Sequence, residues 1–113
     1  MEKYQQIIHL TDNMQEKLIE LRRDFHRYAE GGWREIRTSS RIARELQELG
    51  YQVLVGEAVC RRDARMGVPD ADTLAQEYQR AIAQGADPEF AEQMQQGMTG
   101  VIAILRCGEG PTV

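Results

Sequence analysis

Apolar side chains near the start of the chain recur at the spacing of a helix. They stand three or four positions apart at Leu10, Met14, Leu18, Leu21, Phe25 and Tyr28. This spacing predicts one long amphipathic helix. Ile7 extends the stripe backwards, whereas the cluster 11–13 is a possible N-terminal cap, so the start of the helix is left open. The pair Gly31-Gly32 is expected to end the helix.

A second helix is expected from about Ser39 to Leu49. Its apolar face would carry Ile42, Ala43, Leu46 and Leu49. Thr38 or Ser39 is the expected N-cap, and Gly50 the stop. The residues that follow, "YQVLV" at 51–55, are typical of a strand.

Residues 57–98 are polar and rich in alanine, which predicts a helical insertion. Asp70 or Asp72 is expected to cap one helix, whose inward side chains are Leu74, Tyr78, Ala81 and Ile82. Gly85 would end it. The dipeptide Asp87-Pro88 has the chemistry of another helix start, with inward side chains Phe90, Ala91 and Met94.

The apolar run "VIAILRC" after Gly100 predicts a second strand, buried on both faces. The two strands are expected to pair antiparallel, which makes the fold class α/β with two to three N-terminal helices. Thr112 and Val113 follow a glycine-proline turn and resemble the start of another strand. Residues 1–113 are therefore expected to be part of one domain, with the helical insertion at 57–98 and an exposed apolar edge.

Composition excludes several classes of function. The 113 residues are 42% hydrophobic and 28% charged, which is typical of one globular domain. The 14 basic and 18 acidic residues are intermingled, so no basic stripe favours nucleic acid. The longest apolar run is too short for a membrane helix, and the first residues do not resemble a signal peptide. With Cys60 and Cys107 expected to be free thiols, the sequence predicts a soluble cytoplasmic protein.

His26 and Glu30 stand four residues apart and, with Glu35, suggest a metal site. A zinc site needs three or four converging ligands, and the glycine pair between these carboxylates breaks the helical register. A histidine that is hydrogen-bonded at a helix end is the favoured alternative for His26. His9 is expected to be solvated. The sequence therefore predicts no catalytic, cofactor-binding or metal-binding residue in this chain.

The cysteines and aspartates also have simpler interpretations than catalysis. Cys107 follows a strand and is expected to be a small buried side chain. Cys60 lies beside Arg61 and Arg62, which favour a thiolate, but a partly exposed unreactive thiol is the preferred interpretation. Helix capping is sufficient to explain Asp70, Asp72 and Asp87. The sequence contains no phosphate-binding loop, dinucleotide fingerprint, zincin motif or nucleophile elbow.

The stretch "LRRDFHRYAEGGWREIRTSSRIARELQELGYQV" resembles the N-terminus of the aminoacylase-like metallopeptidases, a family of amidohydrolases that includes hippurate hydrolase and aminobenzoyl-glutamate hydrolase. The matching positions are Leu21, Arg22, Arg23, His26, Glu30, Thr38, Leu49, Gly50 and Tyr51. Ala29 replaces the usual proline. This alanine and the insertion "RMGVPDADTLAQEYQRAIAQGA" resemble the A-subunit branch of the aminobenzoyl-glutamate hydrolases. The resemblance extends from about Leu18 to Val113.

This resemblance implies part of the catalytic domain of a zinc-peptidase-like fold. Full-length members form dimers and use two divalent metals, zinc or manganese, whose ligands lie in motifs that this chain lacks. His26 and Glu30 inherit no ligand role. We therefore expect an N-terminal segment of an amidohydrolase that cleaves N-acyl or aminobenzoyl amino acids, inactive without a downstream or separately encoded portion. The alternative is a small helical protein-interaction module without catalysis.

Overall fold

Residues 2–113, which the computed structural model describes, form five α-helices and a two-stranded sheet, with short 3-10 turns at 56–58, 62–64 and 95–97. This mixed helix and strand architecture confirms the predicted fold class. No helix among these residues is long and apolar enough to cross a membrane. The elements in chain order are α1 (Glu2–Asn13), α2 (Gln15–Arg27), α3 (Ile36–Glu48), β1 (Gln52–Val55), α4 (Ala71–Ala83), α5 (Pro88–Glu92) and β2 (Val101–Ile104).

The predicted long helix consists of α1 and α2, separated at Met14. Met14 keeps a right-handed helical conformation, and its N–H donates to the carbonyl of Leu10 at 3.2 Å. The N–H of Leu18 in turn donates to the carbonyl of Met14 at 2.9 Å. The helix begins well before the cluster 11–13, and the Thr11 hydroxyl donates to the carbonyl of Ile8. That cluster is therefore inside the helical segment and does not start it.

The expectation that Gly31-Gly32 ends α2 is wrong. The helix ends at Arg27, with Tyr28 as its C-cap, and neither glycine has a positive φ. The left-handed residue in this loop is Trp33, with φ 62°. The cause is tertiary, because the chain turns early enough to carry Glu30 to the first turn of α3.

The predicted start of α3 at Ser39, with Thr38 or Ser39 as N-cap, is also wrong. The helix begins at Ile36, and the Glu30 carboxylate accepts the N–H groups of its first turn from outside the helix. This cap comes from a loop, so helix-start patterns do not reveal it. The buried face differs from the expected one as well, because Ile42 and Leu49 are exposed. The buried residues of α3 are Ile36, Arg37, Ser39, Ser40 and Ala43.

Gly50 ends α3 as predicted. With φ 93°, its N–H donates to the carbonyl of Gln47, and the N–H of Tyr51 donates to the carbonyl of Leu46. These two bonds are the Schellman arrangement, which satisfies carbonyls at the helix end. Gly85 ends α4 with the same pair of bonds.

Both helices of the insertion have the predicted N-caps. The Asp70 carboxylate accepts the N–H of Thr73 at 2.7 Å, and Asp72 lies in the first turn of α4. The Asp87 carboxylate accepts the N–H of Phe90 at 3.2 Å, with proline at the first position of α5. Local capping chemistry therefore fixes the starts of α4 and α5.

Strands β1 and β2 pair antiparallel, as predicted, with Gln52 opposite Ile104 and Val55 opposite Val101. The expectation that β2 is buried on both faces is wrong. Strand β2 ends at Ile104, and the side chain of Ile102 is exposed. Helix α3 packs against both strands, whereas Ile102 on β2 stays 45% exposed. One covered face leaves alternate apolar side chains in solvent.

The hydrophobic core lies between α3, α4, α5 and β1. Its buried members are Ile36, Ala43, Val55, Ala81, Ala86, Phe90, Ala91 and Met94. The inward residues predicted for α5 are all in this set, and α4 contributes Leu74 and Ala81 as buried side chains. Alanines on facing helices let their backbones approach closely, so the core is small and tightly packed.

Two glycines with left-handed backbones provide a matched test of this packing. An alanine at Gly50 would meet no atom within 4 Å, whereas a Cβ at Gly56 would lie 2.5 Å from the carbonyl oxygen of Gln93. We expect Gly50→Ala to cost about 1 kcal/mol from backbone strain alone. Gly56→Ala should cost about 2 kcal/mol more, because the backbone of the insertion must move. Urea unfolding measures both, and equal losses would contradict the close contact.

Candidate functional site

The sequence suggested Glu30 as a metal ligand, but its carboxylate is buried and hydrogen-bonded within the fold. Its side chain is 1% exposed and accepts the N–H groups of Arg37 at 3.0 Å and Thr38 at 2.7 Å. It also accepts a hydrogen bond from Arg80 of α4 at 2.8 Å. Burial lowers the pKa of Arg80, but its hydrogen bonds to Glu30 and Glu77 outweigh this and leave the pKa raised. Glu30 is therefore a structural carboxylate that joins the loop to two helices.

Arg37 of α3 is a buried arginine that is hydrogen-bonded to α2 and to the end of α4. Its guanidinium donates to both oxygens of Asp24 in α2, at 2.9 and 2.8 Å. Its Nε donates to the carbonyl of Gln84 at the end of α4, and its guanidinium lies 4.0 Å from the centre of the Tyr28 ring. The hydrogen bonds from Arg37 hold the pKa of Asp24 below its usual value.

A third ion pair joins α3 to α5. The Arg44 guanidinium donates to both oxygens of Asp87, at 2.7 and 3.1 Å, and to Glu89 at 2.9 Å. The Ser40 hydroxyl accepts the N–H of Asp87. The hydrogen bonds from Arg44 hold the pKa of Asp87 below its usual value. The shifted pKa values of Asp24, Arg44, Arg80 and Asp87 thus belong to ion pairs that connect elements of the fold, and the lowered pKa of Asp70 is caused by its N-cap hydrogen bonds with Thr73. Both are structural uses of charge.

The remaining candidate ligands do not converge. His26 is exposed in the last turn of α2, and the hydrogen bond expected for it is absent within residues 2–113. The Glu35 carboxylate accepts the Thr99 hydroxyl at 3.2 Å, and His9 is exposed, 3.2 Å from the side chain of Asn13. Over the described part of the chain, no three His, Cys, Asp or Glu side chains are grouped as a metal would require. These residues do not fit a two-metal centre.

The surface feature most like a binding site is a cleft of about 830 Å³ beside Trp33. Its apolar walls are Trp33, Val59, Ala64 and Met66, and its polar groups include Glu35, Thr38 and Thr99. An apolar cleft with a few polar groups suits an apolar or aromatic group that also hydrogen-bonds. Sequence reasoning missed this cleft, because it is built from three segments far apart in the chain.

Trp33 is held rigidly in its left-handed conformation. The indole N–H donates to the carbonyl of Met66 at 2.8 Å, and the Arg65 guanidinium lies 5.5 Å from the ring centre. Arg65 is itself fixed, because it donates to the carbonyl of Gln96 at 2.7 Å. A side chain at Gly97 would come within 2.9 Å of the Trp33 carbonyl oxygen. These contacts offset the strain of about 1–2 kcal/mol that a left-handed tryptophan carries.

The two cysteines are free thiols with different surroundings. Cys60 is partly exposed, as expected, and lines the cleft. The neighbouring arginines pair with carboxylates instead of the thiol, in the pairs Arg61–Asp63 and Arg62–Glu57. Cys107 is exposed, so the expectation of a buried side chain is wrong, because the strand ends at Ile104 before reaching it. Among residues 2–113, neither thiol is hydrogen-bonded to a base of the kind that a cysteine nucleophile requires.

The sequence of this chain is similar to segments of known hydrolases. No family model matches the chain. It is 42% identical over 104 residues to the A-subunit of the p-aminobenzoyl-glutamate hydrolase of Escherichia coli strain K12, a match that covers 91% of this chain and 24% of that protein. The chain is a homologue of part of that hydrolase. The resemblance inferred from the sequence is thereby confirmed.

Two further relatives agree. The indole-3-acetyl-aspartic acid hydrolase of Enterobacter agglomerans is 44% identical over 98 residues, covering 86% of this chain and 22% of that protein. The crystal structure of an aminobenzoyl-glutamate utilization protein from Klebsiella pneumoniae superposes with a TM-score of 0.84 at 41% identity, covering 87% of this chain and 25% of the other. The chain thus spans about a quarter of the length of the proteins it matches.

The role of Glu30 is tested by two isosteric changes. Glu30→Gln removes a buried charge that accepts three hydrogen bonds, so we expect a loss of about 2–3 kcal/mol in the free energy of unfolding. Glu35→Gln is the control, because Glu35 accepts one hydrogen bond from Thr99, and should cost about 1 kcal/mol or less. Chemical denaturation of both variants measures the difference. Equal losses of stability in the two variants would show that the three hydrogen bonds to Glu30 contribute no more than the single hydrogen bond to Glu35.

The Asp24–Arg37 pair should make stability depend on acid. The folded-state pKa of Asp24 lies below the unfolded value of 3.8. Its contribution is fully present above the unfolded pKa and is lost as the pH falls through the lower folded pKa. Melting temperatures of the wild type and Asp24→Asn, measured from about pH 7 down to about pH 2, should therefore differ most at neutral pH and converge in acid. A difference that stays constant would contradict this linkage.

Proposed function

We propose that this chain is a segment of a metal-dependent hydrolase that cleaves the amide bond of an N-acyl or aminobenzoyl amino acid. The identity of 42–44% to two named hydrolases supports this proposal. Their names specify p-aminobenzoyl-glutamate and indole-3-acetyl-aspartic acid. Both compounds join an aromatic acyl group to an acidic amino acid through an amide. The substrate class we propose is therefore an aromatic acyl conjugate of an acidic amino acid.

Within that hydrolase, residues 2–113 would supply scaffold. The carboxylates of Asp24, Glu30 and Asp87 are paired with arginines, and no three potential metal ligands are grouped among these residues. The two divalent metals expected for such an enzyme, zinc or manganese, would be bound by other segments, in the same polypeptide or a separately encoded one. Dimerisation and a cytoplasmic location belong to the same proposal, and the two free thiols favour a reducing compartment.

A second candidate is a helical protein-interaction module without catalysis. The observation in its favour is the row of exposed apolar side chains on α1 and α2, which has no partner within residues 2–113. Such surfaces commonly bind other proteins. The two candidates differ in whether the chain can replace the homologous segment of an active hydrolase.

The chain alone should be inactive. Incubation with zinc or manganese and p-aminobenzoyl-glutamate should release p-aminobenzoate no faster than the metal-only blank, because metal-assisted hydrolysis needs a metal fixed by several ligands. Chromatographic detection of the released acid measures the rate. Turnover above the blank would show that residues of this chain perform the chemistry.

Replacing the homologous segment of the Escherichia coli hydrolase by this chain tests the proposal directly. We expect the chimera to hydrolyse p-aminobenzoyl-glutamate, because the substituted scaffold should support the remaining fold. A matched chimera that also carries Glu30→Gln should be less stable and lose activity at a lower temperature. A chimera that folds and binds metal normally yet does not hydrolyse the substrate would contradict the proposed function and favour the interaction module.

A further inference from the structure

A strict repeat of three and four residues runs along α1 and α2. Its positions are Tyr4, Ile7, Thr11, Met14, Leu18, Leu21, Phe25 and Tyr28, of which one, Thr11, is neither aliphatic nor aromatic. Because Met14 stays helical between the two helices, the repeat continues across the break. A repeat averaging 3.5 residues is the seam along which one α-helix packs against another.

The two ends of this seam differ in exposure. Toward the end of α2, Leu21, Phe25 and Tyr28 are half-buried, and the Tyr28 ring stacks on Arg37. Toward the start, the side chains are exposed: Tyr4 by 73%, Ile7 by 56%, Met14 by 44% and Leu18 by 52%. Ile8 and Leu10 widen this exposed end, and α1 has no buried residue. The first half of the seam therefore has no packing partner within residues 2–113.

The charged residues beside the seam determine which kind of helix can pack against it. Of the charged positions that flank the seam, those without a salt-bridge partner among residues 2–113 are cations, at Lys3 and Arg22. The one acidic flanking residue, Asp24, is already bound by Arg37, and Lys17 pairs with Glu45 at 3.0 Å. The acidic side chains of these helices lie on the outer face, at Glu2, Asp12, Glu16 and Glu20. Flanking charges select the partner of a helical seam, so two copies of this surface would repel each other.

We propose that the exposed half of this seam docks an α-helix that has its own apolar repeat of three and four residues, flanked by aspartate or glutamate. The helix would come from the three quarters of the hydrolase that this chain does not span. This inference rests on the proposed function. The elongated outline of the chain, 55 × 33 × 23 Å, is consistent with a surface that packs against further protein.

Two synthetic helical peptides of about three heptads test the charge requirement. Both carry leucine and isoleucine along the seam, and they differ in having glutamate or lysine at every flanking position. The chain should bind the glutamate peptide at least about tenfold more tightly, by fluorescence anisotropy at low salt, with the difference shrinking as salt is added. Equal affinity for both peptides, or binding of neither, would overturn the proposal.

Variants of the chain locate the binding surface. The double change Met14→Glu and Leu18→Glu places charges in the exposed seam and should abolish binding, while circular dichroism checks that the helices still form. Glu16→Gln on the outer face is the control and should bind as the wild type does. The double change Lys3→Glu and Arg22→Glu should reverse the preference between the peptides. Binding that survives the seam variant would place the peptide elsewhere and refute the docking site.

The source of the helix is tested with the Escherichia coli hydrolase from which the homologous segment has been deleted. Co-expressed with this chain, it should co-purify with the wild type and not with the seam variant. Equal recovery of both, or of neither, would refute this source. Self-association of the isolated chain that the seam variant abolishes would identify a second copy as the occupant instead. The peptide assay and the co-purification assay measure binding and not catalysis. An inactive chimera, with a chain that still prefers the glutamate peptide, would therefore contradict the proposed function and leave the docking site intact.

Discussion

The structure depends on one buried carboxylate, that of Glu30. A carboxylate out of water is costly unless its oxygens are hydrogen-bonded. Here the backbone N–H groups of Arg37 and Thr38 and the guanidinium of Arg80 satisfy it. Those donors belong to α3 and α4, so the burial of one side chain fixes where both helices lie. Because Arg37 also binds Asp24, the same centre holds α2 against the core.

Local chemistry made the insertion predictable. Asp70 and Asp87 cap their helices through their own following residues, and Gly50 and Gly85 end helices through bonds within one turn. Such signals need no knowledge of the rest of the fold. The starts and faces that sequence reasoning missed depend on distant partners. Helix α3 is capped by Glu30, so its N-terminus carries no cap of its own, and its buried face is polar because Arg37 and Ser40 bond to α2, α4 and α5.

The features of the candidate site likewise divide into those that sequence motifs predict and those that depend on residues far apart in the chain. The sequence motifs identified a relationship that the comparisons bear out. The number and spacing of ligands argue against a metal centre at His26 and Glu30, and this stays a prediction. It did not find the cleft beside Trp33, because the left-handed backbone of a tryptophan leaves no trace in composition or periodicity. The burial of β2 was overestimated for a related reason. A run of apolar residues shows that both faces of a strand can be covered by other elements. Whether both are covered depends on which elements pack against the sheet.

The short distance in sequence between Glu30 and the helix it caps has a consequence for the order of folding. Glu30 lies seven residues before Arg37, whereas Arg80 lies fifty residues after Glu30. As the chain leaves the ribosome, the carboxylate can cap α3 and the Asp24–Arg37 pair can close before α4 has been synthesised. We therefore expect Arg80 and the rest of α4 to join contacts between α2 and α3 that have already begun to form, an order that keeps early contacts local and loop-closure entropy low.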